Sequence, residues 1–594
     1  MFKIFGEPKP AKPLLLPEEE ARIVANHGNN FQFVPCPPGS GRYHKLAILL
    51  NPEDVPHYNR IGTDAHPGLI ERNEEGRILA LEVKHGEIAI LWTNSPDDRH
   101  IFSNVYTRIR NRKLKLAHVY EASLELLEVF LKRTRGDITV MAAPVNEGAT
   151  AELIRDIVSQ ATLQKASDIH LQVGKQFANI FFRVNGEMRR DRFIIRSQAE
   201  ALSRALFAKA DNDSKAPSFD ERDYQDAVIT TSVVRNGAES FYKLRYGSAP
   251  VGDGWDITLR VLPLSHDEGD RSLPQLGFDV LQNHDIDRML SRPTGMIALC
   301  GTTGSGKSTT IKTLCGLIYD RCQGRKLIRT IEDPPEYVIR GARQTPVVRR
   351  KDDPNPGSAF GSALRAVMRG DPDVIMIGEI RDEETARLGQ QAVQTGHKVL
   401  TTVHAGNPFD ALDRFVDLGM RRSVIASDQF VSGIIYQRLL PVLCPHCCLS
   451  IDETRNVLDS DVLKRINSTA TEHLTALRFR GMGCEHCFGQ SINDRTIAAE
   501  ILMFDREMQN YVLTDNPLFA RTYWRSGAMS AISRSCGRSA LDQGVIKMCQ
   551  GIVSPLDVEN ELGFLGDQES VERAKSWLEK HHGAPTAFHR GREA

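Results

Sequence analysis

Gly301-Thr302-Thr303-Gly304-Ser305-Gly306-Lys307-Ser308 constrains the fold of this chain more than any other stretch. It has the spacing GxxxxGK[ST]. The short apolar run Met296-Ile297-Ala298-Leu299-Cys300 precedes it, and a helical pattern starts at Thr309. Strand, glycine-rich loop and helix in that order form a phosphate cradle. The glycines let backbone N–H groups come close to the phosphates, and the helix N-terminus adds positive potential. Gly301 through Thr309 are the candidate nucleotide-binding residues. Lys307 is expected to reach the β- and γ-phosphates, and the Ser308 hydroxyl to ligate Mg²⁺.

The surroundings agree with such a cradle. Strand-like and helical patterns alternate from about 290 to 440, as in a parallel α/β sheet. Asp371-Pro372-Asp373 precedes the apolar run Val374-Ile375-Met376-Ile377, which delivers Glu379 to a strand's C-terminal end. Ligands bind at that edge of such sheets, so Glu379 is a candidate Mg²⁺ acid acting through water. Ile328 to Ile331 is another strand-like run, ending in Glu332-Asp333-Pro334-Pro335-Glu336. If that strand neighbours the phosphate-loop strand, Glu332 lies beside the nucleotide and can deprotonate an attacking water; otherwise it merely opens an acidic turn. Lys398 to Val403 forms a further strand ending in His404, which is either a γ-phosphate contact or a structural histidine.

Cys444-Pro-His-Cys447 and Cys484-Glu-His-Cys487 are two CxxC knuckles. Each can present two thiolates to one tetrahedral Zn²⁺, and four such ligands leave no open position, so the ion would be structural. The chain has 11 cysteines, and the others are scattered, many in apolar stretches. That usage fits a reducing compartment better than a disulfide framework. Lys+Arg (75) and Asp+Glu (76) nearly cancel, so no global positive field is available to hold nucleic acid. No apolar run is long enough to span a bilayer, and the proline-broken start MFKIFGEPKPAKPLLLPEEE does not read as a signal peptide. The expectation is a cytoplasmic protein that touches membrane only peripherally.

At 594 residues the chain should hold three or four domains. Residues 1 to about 140 carry no motif. Within them Pro35, Pro37, Pro38, Gly39 and Gly41 mark a loop, and the basic stretch from Arg108 to Leu116 reads as a solvated face or a contact for anionic lipid or an acidic partner. From Asn146 to about Pro263 a helix over 150–164, an alternating strand at Ile169, Leu171 and Val173, and a tight turn at Asn185-Gly186 predict a small α+β domain.

Taken together, these segments resemble the secretion ATPase superfamily, in particular the branch that powers type II secretion and type IV pilus assembly. The resemblance rests on Ala166-Ser-Asp-Ile-His170, Gly301 to Thr310, Thr330-Ile-Glu-Asp-Pro-Pro-Glu-Tyr337, Ala363 to Asp373 with Ile377 to Asp382, Thr395 to His404, and the cysteine quartet. It implies a RecA-like P-loop motor domain (266–443) behind a smaller, PAS-like α+β domain (146–265). It also implies a zinc-binding insertion (444–500), a helical C-terminal region (501–594) and a partner-docking N-terminal domain (1–145). It further implies ATP as substrate, Glu332 as catalytic base, Glu379 as the Mg²⁺ acid, His404 as a γ-phosphate contact, and Arg245 and Arg260 as arginines supplied by the small domain. A homo-hexamer working with inner-membrane platform and docking proteins of a pilus or secretion system is expected, with no direct nucleic-acid binding. A conjugative pilus is one candidate filament. The rival readings are a retraction or DNA-transfer motor and a zinc-ribbon, nucleic-acid-dependent ATPase. The sequence departs from the family pattern at Thr302, where a proline is usual, at Ala405-Gly406, and in the lack of an arginine-rich loop over 187–242.

Overall fold

The computed structural model describes residues 32–35, 43–48, 60–61, 69–70, 77–84, 86–93, 99–122, 127, 147–175, 177–210, 218–235, 238–264, 271–348, 359–456, 458–566 and 568–580. Three larger sheets organise them.

In the first sheet the strands run in the order Gln32–Pro35, Tyr43–Ile48, Lys115–Glu121, Glu87–Trp92, Ile78–Lys84, Arg60–Ile61. The helix Arg99–Asn111 carries Ile101, Val105 and Ile109 at helical spacing, and these bury against Ile78, Ala80, Ile88, Ile90 and Trp92. The basic stretch splits between two elements. Arg108 and Arg110 end the helix, Lys113 turns the chain with φ 56°, and Lys115 opens a strand and pairs with Glu87 at 2.6 Å. Pro35 ends a strand, while Pro37, Pro38, Gly39 and Gly41 lie outside the described residues.

The second sheet is antiparallel throughout, in the order Gln225–Arg235, Ala238–Val251, Gly254–Pro263, Asp168–Val173, Phe177–Val184, Glu187–Ile195. Alternate residues Ile169, Leu171 and Val173, and Ile180, Phe182 and Val184, face one side. There they bury against Ile154, Ile157 and Val158 of helix Glu147–Leu163 and Leu202 and Leu206 of helix Arg196–Ala208. Asn185 and Gly186 both have positive φ (52° and 90°), the geometry of a two-residue hairpin turn that keeps the strands' twist.

The third sheet has seven strands in the order Ala342–Pro346, Ile328–Glu332, Val374–Ile377, Lys398–Val403, Gly295–Cys300, Val431–Leu443, Ile492–Leu502. All pairs are parallel except the last. Its central strands are buried on both faces, which is why they read as unbroken apolar runs. One face is covered by Ile311, Leu314 and Ile318 of helix Lys307–Arg321. The other is covered by Leu388 and Phe415 and by C-terminal helices contributing Met508, Trp524, Ile546 and Val558.

One open condition is decided and one expectation is corrected. The strand ending at Glu332 does not neighbour the phosphate-loop strand, because Val374–Ile377 and Lys398–Val403 stand between them. The segment 492–500, grouped with the insertion on its cysteines, belongs to a strand of the central sheet, with Leu443 opposite Ile492 and Tyr436 opposite Glu500. Among the described residues no helix is long and apolar enough to cross a membrane.

Candidate functional site

The phosphate loop lies between a fully buried strand and the helix that begins at Lys307. Gly301 has φ +147°, and a Cβ there would come 2.6 Å from the Gln437 carbonyl oxygen and from Ser305 Oγ, so only glycine fits. Gly304 and Gly306 also sit at positive φ (80° and 85°). Thr302, Thr303, Gly304 and Ser308 are exposed, while Lys307 is 8% exposed. Lys307 Nζ donates to the carbonyls of Gly301 (2.8 Å) and Thr302 (3.0 Å). Burial lowers the Lys307 pKa, and the neighbouring Cys300 and Glu379 counter this. The loop is also fastened from below: Gln437 Nε2, on strand Val431–Leu443, donates to the Ser305 carbonyl at 2.7 Å.

Glu379 follows strand Val374–Ile377 after Gly378. The Gly378 N–H donates to the Ile331 carbonyl (2.9 Å), and a Cβ at that position would lie 3.0 Å from the same oxygen and 3.6 Å from Glu332 Cα. This close approach brings the backbone beside Glu379 against Glu332, so the two acids share one corner although their strands differ. Thr402 Oγ1 donates to the Gly378 carbonyl at 2.6 Å, and the Ile380 N–H donates to the Thr402 carbonyl at 3.0 Å. The end of strand Lys398–Val403 is thereby locked to the same turn, and His404 Nε2 lies 3.5 Å from Glu379 Oε1.

Glu332 is the last residue of strand Ile328–Glu332. Its following loop returns to the phosphate-loop helix, where the Tyr337 hydroxyl is hydrogen-bonded to Thr309 and its ring lies 5.9 Å from Lys312 Nζ. Burial pushes the Glu332 carboxyl up, against hydrogen bonds from Thr330 Oγ1 (2.6 Å) and Gln344 Nε2 (2.9 Å). Asp333 pairs with Arg381 at 3.0 Å, tying the loop to the segment after Glu379.

Arg245 and Arg260 stand directly opposite each other on adjacent strands of the second sheet. Arg260 is held by Asp168 (3.1 Å), and its guanidinium lies 3.5 Å from Glu336 of the Glu332 loop. Arg245 is exposed.

The four cysteines converge, with all their sulfurs within 4.8 Å of one another. The pairs Cys444–Cys484, Cys447–Cys487 and Cys484–Cys487 are each 3.7 Å apart, and none is a disulfide. A tetrahedral ion with bonds of about 2.3 Å to sulfur needs edges of about 3.8 Å. The Cys487 sulfur accepts backbone N–H groups of Cys484 (3.1 Å) and Ser491 (3.2 Å), and these together with hydrogen bonds from the Cys484 and Cys447 thiols outweigh burial to bring its pKa to about 7. The donor set therefore fits a thiophilic divalent cation. His446 and His486 stack outside it, with ring centroids 4.0 Å apart.

Three residues of this arrangement escaped sequence inspection. Gln437 left a signal, a polar residue inside the apolar run Val431–Leu443. Thr330 stood within the segment Thr330–Tyr337 but without a role of its own, and Gln344 left no signal, because polar residues are ordinary at such positions.

A central, mostly parallel sheet with a phosphate loop at its C-terminal edge, where Glu332 ends one strand and Glu379 follows another, is the architecture of a P-loop ATPase. Residues 144–555 match the family described as type II/IV secretion system protein, and the chain belongs to that family. The type II secretion system protein E of Pseudomonas aeruginosa is 31% identical over 407 residues, covering 68% of this chain and 74% of that protein. The type II secretion system ATPase E of Vibrio cholerae is 31% identical over 403 residues, covering 68% of this chain and 73% of that protein. The type IV pilus assembly ATPase PilB of Thermus thermophilus is 28% identical over 447 residues, covering 74% of this chain but 46% of that protein.

Proposed function

We propose that this chain is a cytoplasmic motor that couples ATP hydrolysis to assembly of a type IV pilus or a type II secretion pseudopilus. It would act as a homo-hexamer against platform and docking proteins of the inner membrane. What carries the proposal is the convergence of Lys307, Glu379 and Glu332 at one sheet edge, in a chain whose relatives are named for secretion and pilus assembly.

Backbone N–H groups of 301–306 and the Lys307 ammonium bind the β- and γ-phosphates. Lys307 is stored on its own loop carbonyls until phosphates replace them. Ser308 and Glu379 would hold Mg²⁺, which would supply positive charge against the phosphates. Glu332 accepts a proton from the attacking water, and His404 donates a hydrogen bond to the γ-phosphate. Arg260, with Arg245 beside it, brings positive charge from the small sheet, which links hydrolysis to movement of that sheet. The cysteine quartet would hold Zn²⁺, which would brace the insertion and leave hydrolysis to the phosphate loop and its acids.

The test pairs an enzyme assay with a count. Glu332→Gln should lower kcat by about 10²–10⁴-fold while nucleotide still binds. Host cells carrying Lys307→Ala should bear fewer surface filaments by electron microscopy than cells carrying the unaltered chain. More filaments would mean a retraction motor, and an unchanged count would end the pilus assignment.

A further inference from the structure

Glu332 does not hold its carboxylate alone. Three donors reach it: the Thr330 hydroxyl at 2.6 Å, the Gln344 side-chain amide at 2.9 Å, and the backbone N–H of Glu336. A carboxylate offers about four lone-pair sites, so one is left for a water molecule, and its direction is set by the other three. Gln344 lies on the edge strand Ala342–Pro346, in register with Thr330. Both donors therefore come from the same level of the sheet.

Gln344 is committed on every side. Its amide nitrogen also donates to the Tyr337 carbonyl at 2.7 Å, and its Oε1 accepts the Ile339 N–H at 3.0 Å. One side chain thus joins the Glu332 carboxylate to two points of the loop that follows it. That loop carries Glu336, which lies 3.5 Å from the Arg260 guanidinium of the small sheet. A continuous chain of contacts runs from Arg260 through Glu336 and the loop to Gln344, and from there to Glu332.

We propose that Gln344 is a positioning residue for hydrolysis: it aims the Glu332 carboxylate at the attacking water and ties that aim to the loop held by Arg260, so the base is in place only while the small sheet is docked. The proposal deepens the assignment of Glu332 as base and rests on it. A brace for the loop and nothing more would predict lost stability and weaker nucleotide binding. A positioning role predicts lost turnover with binding kept.

The experiment uses the full chain. Steady-state Mg-ATP hydrolysis, ADP affinity and thermal melting are measured for the unaltered protein, Gln344→Ala, Gln344→Met, Glu332→Gln, Glu336→Ala and the pairwise combinations. Gln344→Met keeps the side chain's length and volume, and it is the variant to read if Gln344→Ala does not fold. Both Gln344 variants should lose about 10–100-fold in kcat, the scale of a misplacement of about 1 Å, with KM and ADP affinity within about twofold. Gln344→Ala should cost nothing further in Glu332→Gln, because a base that is gone cannot be misaimed. Glu336→Ala should lower kcat alone and add little to Gln344→Ala. A kcat within about twofold of the unaltered protein overturns the proposal, and so does a loss that multiplies in full on the Glu332→Gln background. If instead Glu332→Gln itself keeps full kcat, it is the assignment of the base that falls.

Discussion

At the scale of single residues, function and folding stability pull apart most clearly at Glu500. Its carboxyl is partly buried in the central sheet, and the loss of solvent, with Asp542 nearby, pushes its pKa from 4.5 up to about 7. The Ala540 N–H donates to it at 3.0 Å. The folded chain therefore keeps a proton that the unfolded chain releases between about pH 4.5 and pH 7. Its contribution to stability is full below that window and is lost as pH rises through it. Glu500→Gln copies the protonated acid at every pH, so it should raise the Tm by a few degrees at pH 8 and leave it unchanged below about pH 4.5. Equal melting temperatures at pH 8 would rule this out. Residues that act through local spacing were legible in the sequence: Lys307, Ser308 and Glu379 follow their strands by fixed numbers of positions. Gln344 and Gln437 act across strands, and nothing in local spacing marks what a side chain will meet on a neighbouring strand.

At the scale of elements, the insertion between strands Val431–Leu443 and Ile492–Leu502 is where the four cysteines converge. Close backbone contacts build the quartet: a Cβ at Gly481 would come 1.8 Å from the Cys447 carbonyl oxygen, so that approach requires glycine. A structural zinc site contributes on the order of 10 kcal/mol. On the proposed zinc site, the unaltered chain should carry zinc by elemental analysis, and a Cys484→Ser, Cys487→Ser variant should lack it and become protease-sensitive within 444–491, while retaining ADP affinity. A chain purified without zinc and equally resistant to protease would contradict this. The alternation of strands and helices over 290–440 was visible because each element carries its own period of apolar residues. Sheet order was not, since sequence order leaves open which strand lies next to which. That is why the neighbours of the Glu332 strand stayed open and why 492–500 was assigned to the insertion.

At the scale of the whole molecule, the small antiparallel sheet touches the motor at several points. Arg260 meets Glu336, and a Cβ at Gly186 would lie 3.7 Å from the Arg495 guanidinium. Arg480 of the insertion binds Glu187, next to the hairpin turn, and grips Asp557 of helix Pro555–Leu562 with two nitrogens at 2.9 and 2.7 Å. Asp557 is 5% exposed, so removing its partner strands a buried carboxylate, at about 3–5 kcal/mol. Arg480→Ala should lower the Tm and speed hydrogen exchange across the 185–187 turn, and unchanged exchange there would mean that Arg480 does not fasten the small sheet.

Leu443 stands opposite Ile492 in the sheet, so the insertion leaves and re-enters at a single point. However elaborate, residues 444–491 are topologically the loop of one hairpin. Closing such a loop costs only about 0.6 kcal/mol more for each doubling of its length, given a rigid base. The motor thus presents a socket with two adjacent prongs. Modules of different size can be exchanged there, by descent or by design, without redrawing the sheet that hydrolyses ATP.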